Sequence, residues 1–100
     1  MQPDGAPPED RNLLDAAWRL HPQVALRPEP FGALAYNFEN RRLSFLKDLR
    51  LVEVVEALDR HDNARDACAA AGVHDARLPS FELALKALET AGMIERRRAG

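Results

Sequence analysis

A chain of 100 residues with 14 basic and 16 acidic side chains, and a formal charge of -2, is sized for one domain with one modest core. That charge balance excludes the whole-molecule positive field with which a protein draws in nucleic acid or anionic lipid. One cysteine excludes an internal disulfide framework, and no apolar run approaches the ~20 residues of a membrane span. Because the start also lacks a basic-then-apolar leader, we expect a protein of the cytosol.

The beginning of the chain is rich in proline and charge. Residues 1–12 cannot bury enough apolar surface to offset the entropy of ordering them, which predicts a mobile N-terminal tail. The folded domain is then expected over residues 13–94. Residues 13–17 are apolar enough for a helical turn or for a lead into the first strand. Trp18 is predicted to anchor this entry by burying its ring while its indole N–H donates to a carbonyl.

Three runs, at residues 18–27, 31–38 and 41–47, alternate apolar side chains with polar or small ones. This alternation is typical of half-buried strands, and it predicts a three-stranded antiparallel meander. Pro28 and Pro30 are assigned to the first connection, because proline cannot donate to a strand ladder.

The second connection is predicted at Glu39 and Asn40, since Asn tolerates a positive φ. A two-residue or four-residue turn there sets the cross-strand pairs Phe38 with Arg41, Tyr36 with Leu43, and Leu34 with Phe45. One face of the sheet then carries large apolar side chains, namely Leu34, Tyr36, Phe38, Leu43 and Phe45. The other carries Ala33, Ala35, Asn37, Arg42 and Ser44. We expect the first face to be the one that the rest of the chain covers.

After residue 47 the apolar spacing becomes helical and predicts three helices. The first covers residues 49–61 behind an Asp48 N-cap. The second covers residues 64–71, has a nearly all-alanine buried face that includes Cys68, and ends at Gly72. The third starts around Pro79, ends at Gly92, and carries the apolar stripe Phe81, Ala84, Leu85, Leu88 and Ala91.

The residues after the third helix are predicted first to pack on the core and then to extend into solvent. Met93 and Ile94 are expected to contact the core after the last helix, and residues 95–100 to form a mobile, solvated C-terminal tail. Three strands followed by three helices predict a segregated α+β domain in which the helical stripes cover the apolar sheet face. The arrangement is winged-helix-like, with its sheet built first.

Side chains that could carry chemistry are scattered. His21, His61, His74 and Cys68 form no pair at metal-ligand spacing, so structural or surface roles are favoured over a metal site. Cys68, on the alanine face, is interpreted as a small buried hydrophobe rather than a nucleophile. Neither an isolated acid–base pair nor a glycine-rich phosphate loop is found. We therefore expect neither an enzyme nor a bound metal or cofactor.

The last two predicted helices have the lengths of a helix-turn-helix, so DNA binding has to be weighed. A recognition helix presents Arg, Lys, Asn or Gln to the major groove. The exposed positions of the third helix are instead Glu82, Lys86, Glu89 and Thr90. Phosphate would repel the glutamates, which disfavours DNA binding. Arg41, Arg42 and the terminal arginines keep a DNA-binding regulator open as an alternative.

The third strand of the predicted meander is an edge with no sequence left to cover it. An unpaired edge is either protected or used. Arg41, Arg42 and Lys47 are suited to protect it by charge. Alternatively, an extended peptide adds there as a fourth strand, or a second copy pairs there in a plain dimerisation module.

Residues 21–36 read HPQVALRPEPFGALAY and residues 41–46 read RRLSFL. Both stretches closely resemble the mycofactocin-system peptide chaperones, which are relatives of the peptide chaperone of pyrroloquinoline quinone biosynthesis. The resemblance covers about residues 18–94, although the helices match more by pattern than by individual residues.

The resemblance implies a RiPP recognition element, which is a winged-helix-like domain without catalytic activity. Such domains bind the leader region of a ribosomally made precursor peptide in the cleft between the third strand and the third helix. They present the peptide to a radical S-adenosylmethionine maturase, the second expected partner. Nucleic acid and membrane are not expected as partners, and the expected state is a monomer or a weak homodimer.

By the same resemblance, the strand wall of the cleft comprises Arg41, Arg42, Leu43, Ser44, Phe45, Leu46 and Lys47. The resemblance leaves individual contacts on the helix open, so periodicity is used to assign them. The helix wall is then predicted to consist of Phe81, Leu85 and Leu88, with Lys86 and Glu89 as its polar rim.

Overall fold

In the computed structural model, which describes residues 12–97, the chain is an α+β domain as predicted. The strands in that range are β1 (Trp18–Leu20), β2 (Val24–Glu29), β3 (Gly32–Asn37), β4 (Leu43–Leu46) and β5 (Ile94–Arg96). The helices are α1 (Leu49–Ala57), α2 (Ala64–Ala70) and α3 (Leu78–Thr90), with 3₁₀ turns at Leu13–Asp15, Leu58–Arg60 and Asp75–Arg77. Strands β2, β3 and β4 form the antiparallel meander in that spatial order.

The meander has the predicted register between its last two strands. Leu34 lies opposite Phe45, and Tyr36 lies opposite Leu43. The turn that joins β3 to β4 closes with a hydrogen bond from the Arg41 N–H to the Asn37 carbonyl at 2.8 Å. The positive φ of this turn, 65°, is adopted by Arg41 rather than by Asn40.

The first predicted strand is in fact two strands that join different sheets. β2 belongs to the meander, whereas β1 pairs with β5, so that Leu20 lies opposite Ile94 and Trp18 opposite Arg96. The tail predicted from residue 95 is therefore wrong for residues 95–97, because Glu95 and Arg96 pair with β1 and the Arg97 N–H donates to the Ala17 carbonyl at 3.0 Å. The Arg96 guanidinium also lies 5.5 Å from the Trp18 ring centroid. Residues 98–100 lie outside the described range.

The other predicted tail, residues 1–12, falls almost wholly outside the described residues. Asn12 is described, and its side chain accepts a hydrogen bond from the Leu14 N–H at 2.8 Å, which caps the first 3₁₀ turn. Trp18 is buried and its indole N–H donates to the Leu13 carbonyl at 2.9 Å, as predicted. The turn and the ring together close one end of the core.

Pro28 lies within β2 and not in the connection to which it was assigned. The Phe38 N–H donates to the Gln23 carbonyl, and this bond sets which residues of β2 face β3. By alternation the nitrogen of Pro28 points to the open edge of the sheet, where no ladder bond is lost.

Helix ends follow the predicted signals. The Asp48 side chain accepts from the Arg50 N–H at 2.8 Å, which confirms the N-cap of α1. Gly72 and Gly92 adopt positive φ values of 84° and 81° just beyond α2 and α3. After Gly92 the chain folds back onto the core, since the Met93 N–H donates to the Leu88 carbonyl at 2.8 Å and Met93 is buried.

The sheet buries the face opposite to the predicted one. Ala33 and Ala35 are each 1% exposed, whereas Phe38, Leu43 and Phe45 are 58%, 55% and 61% exposed. The reason is that α1 packs on the side with small residues, where its backbone approaches the sheet closely, and the helices supply the large core side chains.

These two faces are named for the rest of the text. The inner face, which the helices cover, consists of Val24, Leu26, Ala33, Ala35, Asn37, Ser44 and Leu46. The outer face, which points away from the helices, consists of Phe31, Leu34, Tyr36, Phe38, Leu43 and Phe45.

Candidate functional site

The meander has two edge strands, β2, which carries Pro28, and β4, whose outward backbone groups belong to Leu43 and Phe45. The Asn37 N–H donates to the Arg42 carbonyl at 3.0 Å, which sets the phase of the ladder. Since bonded and non-bonded pairs alternate in an antiparallel ladder, Ser44 and Leu46 bond to β3 while Leu43 and Phe45 direct their N–H and C=O groups away from it. Within residues 12–97 no strand pairs with that side of β4.

Helix α3 lies beside this edge and is tied to it at both ends. The Asn40 side-chain amide donates to the Ala91 carbonyl at 3.1 Å, just before β4. Beyond the other end of β4, the Arg77 guanidinium donates to the Asp48 carboxylate at 3.1 Å. The side of α3 between these two ties is a row of small residues at helical spacing: Ser80, Ala84, Ala87 and Ala91. The space between β4 and this row is here called the cleft.

One end of the cleft deepens into a recess of about 100 Å³. Its apolar walls are Leu51, Phe81 and Ala84, and the Asp48–Arg77 ion pair lies at its border. The Arg77 guanidinium also lies 5.1 Å from the centroid of the Phe81 ring. The recess can therefore receive one aliphatic side chain.

Asp48 is ionised at neutral pH in this setting. Burial raises the pKa of its carboxyl group, but hydrogen bonds from the Arg50 N–H and from the Arg77 guanidinium, with the charge of Arg77, outweigh that effect and leave the pKa below its ordinary value. The carboxylate thus serves both as the N-cap of α1 and as the ion-pair partner of Arg77.

The seven residues predicted for the strand wall are brought together along this edge. Arg41 and Arg42 lie in the turn before β4, and Lys47 follows the strand. Leu43 and Phe45 place their side chains on the outer face, and Ser44 and Leu46 place theirs on the inner face.

The residues predicted for the helix wall are distributed differently. Phe81, Leu85 and Leu88 are at most 5% exposed and belong to the core, and of these Phe81 also lines the recess. Lys86 and Glu89 lie on the opposite side of α3, where they line a separate groove with Trp18 and Arg96. The row of small residues is instead the side of α3 nearest β4, because Ser80 and Ala84 line the recess and the Ala91 carbonyl accepts the Asn40 amide; helical spacing places Ala87 between them.

That row was visible in the sequence as alanines at positions 84, 87 and 91. Their spacing of three and four places them on one side of a helix. Ala84 and Ala91 were assigned to the core stripe, because alanine on a helix is more often interpreted as packing against a neighbour than as the wall of an open cleft.

The arginines and the lysine beside β4 have no ionic partner in the described part of the chain. Arg41, Arg42 and Lys47 are exposed, and no carboxylate described lies within 4.0 Å of their charged groups. The chain as a whole carries a formal charge of -2. The edge is therefore a local positive region on an otherwise acidic molecule.

The histidines and the cysteine do not converge. His21 accepts the Gln23 N–H at Nδ1, and its Nε2 lies 3.4 Å from the Glu39 carboxylate. Cys68 is fully buried, and burial raises the pKa of its thiol although nearby Arg65 opposes the shift. Across residues 12–97 no group of three His, Cys, Asp or Glu side chains is arranged to hold a metal ion, and no helix there has the length and hydropathy to cross a membrane.

Comparison with known proteins gives one consistent result. Residues 17–95 match the model of a family described as the peptide chaperone MftB family. A peptide chaperone MftB from Mycolicibacterium smegmatis is 52% identical over 80 residues, which cover 80% of this chain and 78% of that protein. Those from Mycobacterium ulcerans and Mycobacterium tuberculosis are 50% and 49% identical, each over 80% of this chain and 73% of the relative. No solved structure matches the chain.

Proposed function

The chain belongs to the peptide chaperone MftB family, and from that premise we propose that it binds the leader region of a ribosomally made precursor peptide as an added strand along β4. The observation that carries this proposal is the open β4 edge beside the row of small residues on α3. The protein acts as a chaperone without chemistry of its own. It holds the peptide in the cleft and presents it to a radical S-adenosylmethionine maturase.

Strand addition explains why both walls of the cleft are built as they are. The N–H and C=O groups of Leu43 and Phe45 supply main-chain hydrogen bonds to any extended peptide, whatever its sequence. The small side chains of Ser80, Ala84 and Ala87 leave space between β4 and α3 for the side chains of the added strand. Affinity thus comes from the backbone, and selection comes from the two walls.

Side chains of a bound strand alternate between the two faces of the sheet. One set continues the inner face, so it points into the cleft, where the recess beside Phe81 receives an apolar side chain. The other set lies beside Leu43 and Phe45 on the outer face. We further propose that the bound peptide is the mycofactocin precursor, that the protein works in the cytosol, and that the domain is winged-helix-like.

Proline at position 45 tests strand addition directly. Phe45→Pro removes an N–H that points away from β3, so all hydrogen bonds between β3 and β4 are kept. Phe45→Ala also removes the aromatic ring but keeps the N–H. We expect Phe45→Pro to bind the precursor roughly tenfold more weakly than Phe45→Ala, equivalent to one hydrogen bond of about 1.4 kcal/mol.

The measurement is calorimetric titration of each variant with the precursor encoded beside it. Circular dichroism and thermal melts establish that both variants are folded. Equal precursor affinities in two folded variants would rule out strand addition at β4. Arg42→Pro is a poorer probe, because the Arg42 N–H already donates to the Asn40 side chain within the turn at 2.9 Å.

A further inference from the structure

The outer face exposes more large apolar surface than the solvated side of a small sheet normally does. Four of its members are classed among the exposed large hydrophobic residues, namely Phe31, Phe38, Leu43 and Phe45. The rings are ordered against one another, with Phe31 and Phe45 centroids 6.0 Å apart and Tyr36 and Phe38 centroids 4.9 Å apart, both in edge-on geometry. Antiparallel sheets with one solvated face ordinarily place polar residues there, so this surface is suited to contact another molecule.

The size of the face argues against a homodimer held by it alone. Three strands about 4.8 Å apart, each about five residues long at about 3.3 Å per residue, give roughly 250 Å². A stable protein interface buries about 800 Å² on each partner. The outer face is therefore at most one part of a larger interface.

The outer face is continuous with the proposed peptide site. Leu43 and Phe45 contribute their side chains to the face and their outward backbone groups to the open edge. A peptide added along β4 places every second side chain beside them and widens the face by one strand, about 4.8 Å. A partner seated on the outer face then contacts chaperone and peptide together, so its affinity depends on whether a peptide is bound.

The charge beside this face defines the chemistry of the partner. Arg41, Arg42 and Lys47 border it along β4, and the Lys47 ammonium lies 6.0 Å from the Phe45 ring centroid. On the opposite border, Arg27 is already close to the Glu29 carboxylate, at 3.8 Å. Complementarity to Arg41, Arg42 and Lys47 requires carboxylates on one side of the partner's apolar patch.

We propose that the outer face docks a folded protein whose complementary surface is an apolar patch bordered by Asp or Glu, and that this protein is the maturase that modifies the bound peptide. The identity of the partner rests on the proposed function. The chemistry of its surface rests on the exposed rings and on the cations beside them, which have no carboxylate within 4.0 Å among residues 12–97.

The experiment measures docking of the maturase to immobilised chaperone, with and without the precursor. The variant is Phe31→Ser combined with Phe38→Ser, because neither residue belongs to β4. The matched control is Leu83→Ser, which also removes a large exposed apolar side chain but lies on α3, away from the sheet. Precursor binding by each variant is measured separately by calorimetry.

We expect the double variant to dock the maturase about tenfold more weakly than the unaltered chain. Its affinity for the precursor is expected to change by less than about twofold. Docking of the maturase to the Leu83→Ser control is also expected to change by less than about twofold. The precursor is expected to strengthen docking to the unaltered chain. Raising the ionic strength, or replacing Lys47 by Glu, is expected to weaken docking.

Unchanged docking by the folded double variant would overturn the proposal, as would the absence of any docking to the unaltered chain. A fall from dimer to monomer mass in the double variant, with maturase docking intact, would also overturn it and assign the face to a second copy. Failure of the proposed function would look different. In that case the chain would not bind the precursor, but docking of the maturase in the absence of peptide would still depend on Phe31 and Phe38.

Discussion

The inner and outer faces of the same three strands carry opposite kinds of side chains. On β3 the inner positions are Ala33, Ala35 and Asn37, all nearly inaccessible, and the positions between them are Leu34 and Tyr36, both half-buried on the outer face. Large side chains therefore lie on the side that faces away from α1, α2 and α3. The difference shows that small side chains are buried in this sheet because the helices pack closely against their side. The large apolar side chains on the other side are accessible to other molecules.

Close backbone contact between β3 and β4 places a further constraint on the sheet. Gly32, at the start of β3, has a φ of 147°, and a Cβ atom there would lie 2.0 Å from the Leu46 carbonyl oxygen. The chain can bring β3 and β4 together at this point only without a side chain.

The largest expected effect comes from Asn37, the buried polar residue of the inner face. Its side-chain amide donates to the Gly92 carbonyl at 2.8 Å, and its side-chain oxygen accepts the N–H groups of Glu39 and Asn40. Asn37→Ala leaves these partners unpaired and is expected to lower the free energy of unfolding by roughly 3 kcal/mol in urea denaturation. Asn40→Ala, on the exposed side of the same turn, is the control and is expected to lose about 1 kcal/mol. Equal losses would mean that the burial of Asn37 adds nothing to the cost of losing its hydrogen bonds.

The next effect compares one substitution on the two faces. Ala35 lies on the inner face, and Ala25 is exposed and paired opposite Tyr36 on the outer side. Ala35→Leu forces extra volume under α1 and is expected to cost about 2 kcal/mol, whereas Ala25→Leu is expected to stay within about 0.5 kcal/mol. Thermal melts of the two variants compare them directly. A larger loss for Ala25→Leu would reverse our assignment of the faces.

Sequence predicted the register of the meander better than its orientation. Alternation and the turn around Asn40 were sufficient to pair Leu34 with Phe45, because both are local signals. The same alternation places large residues on one face and small ones on the other without specifying which face the helices cover. That choice depends on how closely α1 approaches β3, which is a property of the packed domain rather than of either segment.

The candidate site was predicted in the same uneven way. The strand wall was predicted from the family resemblance together with the position of the last strand at an edge, and its residues lie along β4 and its two ends. The helix wall was predicted from apolar periodicity, which selects core residues such as Leu85, whereas the wall of an open cleft consists of the alanines beside them. Strand β5 was missed because three residues containing two charges give no strand pattern, and its partner β1 is far away in the chain.

A smaller effect is expected in the helical layer that covers the inner face. Cys68 on α2 is fully buried, and Cys68→Ser places a hydroxyl among apolar groups, which is expected to cost about 1 to 2 kcal/mol. Precursor affinity per folded molecule should be unchanged, because α2 does not border the cleft. Since burial raises the pKa of the thiol, its reaction with a disulfide reagent in the native protein should be slow. Rapid reaction under native conditions would contradict the core assignment.

The smallest expected effect is a pH dependence of the free energy of unfolding, which arises from the Asp48–Arg77 ion pair between the end of β4 and the start of α3. Hydrogen bonds and the charge of Arg77 hold the pKa of Asp48 below its ordinary value despite the opposing effect of burial. The unfolded chain, whose aspartates have a pKa of about 3.9, therefore takes up a proton at Asp48 before the folded chain does as the pH falls. The stabilisation is fully present above the unfolded value and is lost as the pH falls through the folded value. Because the pair with Arg77 is partly solvated, its contribution is at most about 1 kcal/mol.

Asp48→Asn isolates this charge, because asparagine is also a good N-cap for α1. The free energy of unfolding is measured for both proteins by urea denaturation between about pH 2 and pH 6, a range that brackets the ordinary aspartate pKa. We expect the unaltered chain to be more stable near the upper limit and the difference to shrink as the pH falls below about 4, with Arg77→Gln reducing the difference in the same way. A difference that stays constant across the range would show that the Asp48 carboxylate gains nothing from its partners in the folded protein, and that α3 is held beside β4 without help from the ion pair.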